Sequence, residues 1–123
     1  MRFLILTTGL ALLWLSACGD AGRQNAISVT GGDPDKGKAA ITRYGCVACH
    51  SIPGVKNATA LVGPPLDRMA LRHYIGGVAE NTPENMILWI QNPHSFSPRT
   101  AMPNLRVTDG DARDITCYLY TLR

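Results

Sequence analysis

Several kinds of chemistry are missing from this chain of 123 residues. No glycine-rich loop of phosphate-cradling form occurs, and no Ser/His/Asp set or carboxylate pair stands in a recognisable catalytic frame. Cysteine is scarce, with four in all, and only two of them are closely spaced. No second cysteine pair or spaced histidine pair completes a tetrahedral zinc site. No βαβ pattern, internal repeat or well-supported strand is visible. Charge is also sparse. The 12 basic and 9 acidic residues leave a formal +3, too little to make the strong basic patch of a nucleic-acid binder.

What remains is concentrated in five residues, Cys46-Val47-Ala48-Cys49-His50. They spell C-x-x-C-H, the attachment sequence for a c-type haem. Two thiols one helical turn apart can add to the two vinyl groups of one porphyrin. A histidine directly after the second thiol then sits beneath the iron. A bare C-x-x-C also serves zinc sites and thioredoxin-like redox pairs. Here the missing second ligand pair and the missing βαβ unit favour one covalent haem c.

The N-terminus reads as a targeting segment. Met1-Arg2 gives a positive start, and residues 3–17 are uncharged and mostly apolar. That run is short for a bilayer span and suits a signal-peptide core. Leu15-Ser16-Ala17-Cys18 resembles the lipobox of bacterial lipoproteins, in which the cysteine is lipidated and becomes the first mature residue. The expected organisation is a lipoprotein-type signal peptide over 1–17, lipidated Cys18 with a flexible linker over 18–32, and one folded domain over 33–123. An ordinary signal peptide or an uncleaved anchor is the alternative. Cleavage removes Arg2 and leaves 11 basic and 9 acidic residues, a net +2, so strong electrostatic steering to a partner is not evident.

Within the domain, Asp33-Pro34 is a helix start, and that helix should run to about Tyr44 with Gly45 ending it. Residues 51–63 read as loop, and a short helix is expected around Leu66 to Leu71. Thr82-Pro83 starts a helix carrying Met86, Ile87, Trp89 and Ile90, stopped by Pro93. His94 to Leu105, with two prolines, is an ordered loop. Thr108-Asp109-Gly110-Asp111 resembles a capping box before a last helix with Ala112, Ile115, Leu119 and Leu122 on one face. The fold class is all-α, with three to four short helices and loops wrapped round one haem.

One axial ligand is His50, and the second lies among His73, His94 and the methionines. Met102 is the best placed, because Thr100-Ala101-Met102-Pro103 presents it from a loop with Pro103 restricting its backbone. Met69 and Met86 suit core packing better.

From Gly32 to Arg123 the chain resembles a bacterial class I cytochrome c. Tyr44-Gly45-Cys46-Val47-Ala48-Cys49-His50, Gly63-Pro64-Pro65-Leu66, Met102-Pro103 and Ile115-Thr116-Cys117-Tyr118-Leu119 carry the resemblance, in the family's order. The resemblance implies that Met102 is the second axial ligand and that the Pro64 carbonyl accepts a hydrogen bond from the His50 imidazole. It implies a propionate-binding role for Arg72 and a haem-facing position for Trp89, and it brings Gly37 and Tyr118 to the contact of first and last helices. Leu71 departs from the glycine that many members have before the arginine. The lipid anchor departs from most soluble members. Cys117 stands where the family often has a small apolar residue, and an inert buried thiol is expected.

The implied function is one-electron transfer between respiratory components, by a carrier held through lipid at the periplasmic face of a membrane and not an enzyme. Its partners would be redox proteins, a terminal oxidase or a dehydrogenase. The alternatives are a haem relay subunit of such a complex, or a haem sensor or enzyme with an open sixth position.

Overall fold

The computed structural model describes residues 17–123, with side chains from Asp20 onward. The expected signal peptide thus lies outside the described residues except for Ala17, and so does the Cys18 side chain. Four helices carry the fold: α1 (Ala17–Thr30), α2 (Pro34–Arg43), α3 (Pro83–Gln91) and α4 (Asp109–Thr121). No described helix is long and apolar enough to cross a membrane.

Local chemistry starts three of these helices where the sequence signals lie. The Asp33 side chain accepts from the amides of Asp35 and Lys36, and Pro34 fills the first helical position of α2. Both features suit an N-terminus, whose first amides lack intrahelical partners. Gly45, at φ +77°, then turns the chain out of α2 into the cysteine motif. Thr82 caps α3 through the Asn85 amide, and Thr108 caps α4 through the Asp111 amide. Asn92, the residue before Pro93, ends α3, as the steric restriction ahead of a proline requires.

α4 is the hub, packed by α1, α2 and α3. Ala112, Ile115 and Leu119 are buried, as their one-face spacing predicts, and so are Thr116, Cys117 and Tyr120. Thr116 shares that face, while Cys117 and Tyr120 lie off it and are buried because neighbours cover α4 from several sides. α2 adds Ala40 and Ile41, and α3 adds Met86, Ile87 and Ile90. Burying each of the Ile, Leu and Met side chains among these stabilises the fold by roughly 1.5–3 kcal/mol. The α2–α4 approach is close enough that a Cβ on Gly37 would collide with the Asp114 carbonyl.

Three local expectations need correction. The stretch expected as a flexible linker is mostly helix α1. Its residues are small and polar, but Ala26 and Thr30, one turn apart, are buried, and Arg23 pairs with Asp35 of α2 at 2.6 Å. Arg113 of α4 donates to the Thr30 carbonyl at the helix end. Tertiary contact supplies what weak amphipathicity does not. A two-stranded antiparallel hairpin, unforeseen, pairs β1 (Tyr74–Ile75) with β2 (Ala79–Glu80). Gly76 and Gly77 at its turn both have positive φ, the requirement of a tight mirror-image turn. The short helix around Leu66 to Leu71 shrinks to a 3₁₀ turn, Met69–Leu71.

Candidate functional site

The cysteine motif leaves α2 as a single 3₁₀ turn, Cys46–Ala48. The Cys46 carbonyl accepts from the amides of both Cys49 and His50, at 3.2 and 3.0 Å. This winds the two cysteines one turn apart and places His50 directly after them. Both thiols are free and half-buried. Burial pushes the Cys46 thiol above its ordinary pKa, so before any thioether forms it is held as a thiol.

Opposite the motif, segment 63–66 runs along segment 49–51 and is stapled to it three times. The Gly63 amide donates to the Cys49 carbonyl at 2.7 Å, and the Leu66 amide to the Ser51 carbonyl at 2.8 Å. Between them, Nδ1 of His50 lies 2.7 Å from the Pro64 carbonyl. A carbonyl only accepts, so Nδ1 carries the proton and Nε2 keeps its lone pair for a metal. Gly63 is what lets the segment lie so near. A Cβ there would sit 2.5 Å from Cε1 and 2.8 Å from Nδ1 of His50. The Pro64 bond is the one the resemblance implied.

The other expected residues fall as follows. Met102 is half-buried on the loop before α4, its amide donating to Thr100 Oγ1. Met69 and Met86 are closed into the core, while His73 and His94 are exposed. Trp89 is half-buried on α3, set against the Gly76 turn and 6.1 Å from the Phe96 ring centroid. Arg72 directs a terminal guanidinium nitrogen to the carbonyls of Pro65 and Asp67, at 2.6 and 2.8 Å. Cys117 is wholly buried, and burial raises its pKa, which fits an inert thiol. Tyr118 ties α4 to the loop after the motif by donating to the Pro53 carbonyl at 2.6 Å, while Gly37 meets Asp114 and Ile115 instead.

Asn81 and Tyr120 belong to this neighbourhood and escaped the sequence analysis. Their partners are backbone carbonyls and one another, which no spacing reveals.

This arrangement fits a covalent haem c. Two unpaired thiols stand one turn apart, and an imidazole is oriented by a carbonyl with one nitrogen left for iron. Two highly exposed apolar residues, Leu61 and Val62, immediately precede the loop over His50. Exposed apolar surface of this kind suits an apolar disc. Among the described residues no cluster of three His, Cys, Asp or Glu offers a rival metal site.

Comparison with known proteins agrees with the geometry. The family described as cytochrome c matches residues 34–123. Over 105 residues the chain is 29% identical to a cytochrome c oxidase subunit 2 of Bacillus sp. (strain PS3), a match covering 81% of this chain and 30% of that protein. No solved structure matches the chain. With the motif, the oriented histidine and a family match over most of its length, the chain belongs to the class I cytochrome c family, carries a covalent haem c, and serves haem-based electron transfer.

Proposed function

We propose that this chain is a one-electron carrier tethered by lipid at Cys18 to the periplasmic face of a bacterial membrane, with His50 and Met102 as axial ligands. The observation that carries the proposal is the 2.7 Å bond from His50 Nδ1 to the Pro64 carbonyl beneath Gly63. It fixes the ring, raises its basicity and leaves Nε2 as the ligating atom. The bound haem supplies a one-electron iron couple. Around it, the chain's task is to change as little as possible between redox states. Met69 and Met86 are enclosed by the core, and Met102 alone of the three described methionines stands on a loop outside it. A thioether there closes the sixth position, favours ferrous iron and leaves no seat for substrate.

Lipid at Cys18 keeps the carrier near membrane-bound partners and raises their effective concentration. A second placement, as the haem relay of an oxidase complex, draws on the oxidase-subunit relative, of whose length the chain spans less than a third.

The test compares full-length protein with Cys18→Ala by membrane fractionation, then adds carbon monoxide to the reduced wild type. A tethered carrier sediments with membranes, is released by the substitution and binds no carbon monoxide at neutral pH. Ready binding, or a high-spin spectrum, favours a sensor or enzyme and overturns the carrier. Release only within a larger complex assigns the relay role instead.

A further inference from the structure

The Pro64 carbonyl is held by more than its own bond. Pro64 and Pro65 have φ fixed by their rings and no amide hydrogen to donate. The freedom left to this segment is rotation about ψ, which swings the carbonyls themselves. Upstream, the Gly63 amide is pinned to Cys49, and downstream the Leu66 amide is pinned to Ser51. The Pro65 carbonyl lies between these anchors and accepts from Arg72 at 2.6 Å.

Arg72 is itself held in place. Its carbonyl accepts from Asn81 Nδ2 at 2.9 Å, and the same nitrogen donates to the Met69 carbonyl at 2.8 Å. Asn81 Oδ1 accepts from the Tyr120 hydroxyl at 2.9 Å. Because carbonyls only accept, the Asn81 amide has one satisfactory orientation. Burial pushes Tyr120 up to about 12, so its hydroxyl remains a donor throughout the neutral range. A continuous set of bonds therefore runs from buried α4 to the proline pair over the histidine. The Arg72–Asp67 ion pair is half-exposed and adds little by itself.

We propose that Arg72, Asn81 and Tyr120 are positioning residues, a strut that holds the Pro64 carbonyl against His50 Nδ1 and so sets the basicity of the axial imidazole. The proposal rests on His50 being an axial ligand. A firm Nδ1–H···O bond makes the ring more basic and favours ferric iron. Loosening the strut weakens that bond and moves the reduction potential upward. An Arg72 that acted only as a charge beside a propionate predicts no shift while the cation is kept, and a fall in potential only when it is removed, since losing a nearby cation favours the ferric state.

The experiment uses the full haem-loaded chain and variants that keep its charge: Tyr120→Phe, Asn81→Ala and Arg72→Lys. Two readouts are taken, the potential by redox titration and solvent exchange of the His50 Nδ1 proton by NMR. A core variant, Ile41→Val, matched for its loss of thermal stability, controls for general loosening. All three strut variants should raise the potential and speed Nδ1–H exchange by about tenfold, a local opening eased by about 1.4 kcal/mol. Ile41→Val should do neither. A lowered melting temperature with unchanged potential and exchange overturns the strut, and so does a downward shift. If Asn81→Ala does not fold, Tyr120→Phe, which removes one oxygen, decides alone. Failure of the underlying ligation looks different. The wild type itself would then lack haem-shifted His50 ring signals.

Discussion

At Met102 a half-buried thioether sits on a chain segment with little regular structure, flanked by Pro103 and by the Thr100 hydroxyl that accepts its amide. A ligand needs a fixed approach, and backbone restriction supplies it where no helix does. Met69 and Met86, 4% and 2% exposed, are instead ordinary core side chains. The substitutions Met102→Ala and Met86→Leu therefore separate by kind of effect. Met102→Ala should abolish the weak near-infrared band of ferric iron–sulfur ligation and lower the potential. Met86→Leu conserves volume, should cost less than about 1.5 kcal/mol, and should leave the band in place. An unchanged band in Met102→Ala removes that residue from the iron. At this scale the motif was legible from its own spacing, and the Pro64 partner, which acts through a backbone carbonyl, only as what the family resemblance implied. Arg72 was legible as a residue but not in its bonding, since its acceptors are carbonyls that carry no sequence signature.

Between elements, α2 and α4 meet at the Asp111 carboxylate. It accepts from the Tyr44 hydroxyl at 2.6 Å, Arg43 at 2.8 Å and the Thr108 hydroxyl at 3.0 Å. Tyr44 ends α2 one residue before the turn into the motif, so this junction positions the haem-bearing segment. The Tyr44 bond first, then Arg43 and Thr108, hold the Asp111 carboxyl below its ordinary 3.8. Protons therefore bind the unfolded chain before the folded one as pH falls. The stabilisation is present in full above the ordinary value, and it is lost as pH falls through the depressed one. Asp111→Asn should lower the melting temperature at neutral pH and flatten its fall below 3.8. Far-UV circular dichroism melts across that range check it, and a variant curve parallel to wild type removes Asp111 from the acid transition. The same junction explains what was readable here. Asp33, Thr82 and Thr108 cap helices through contacts within three residues, so their signals are local. The β1–β2 hairpin has strands of two residues, too short for any alternation to register.

For the whole molecule the consequential element is α1, which composition reads as a tether and the fold makes part of the domain. Fifteen flexible residues and a helix of fourteen have similar reach, roughly 20 Å each. What differs is orientation: under the lipid anchor proposed above, a coil would let the haem domain turn freely, while α1 docked on α4 would fix which face turns outward. The docking is not a matter of charge. The Arg23–Asp35 pair is largely exposed, and solvent screening leaves pairs of that kind with little net contribution. Ala26 is 0% exposed, and a charge placed there, unpaired and desolvated, costs several kcal/mol. Trypsin reads the difference, because Arg23 lies inside α1 and a protease needs extended chain. The native protein should resist cleavage after Arg23 until it unfolds. Ala26→Asp should expose that bond while leaving the haem spectrum intact, because the motif and segment 63–66 are held by bonds that α1 does not share. Rapid cleavage of the native protein at Arg23 would return this segment to a tether, and with it the freedom of the haem domain to face any partner.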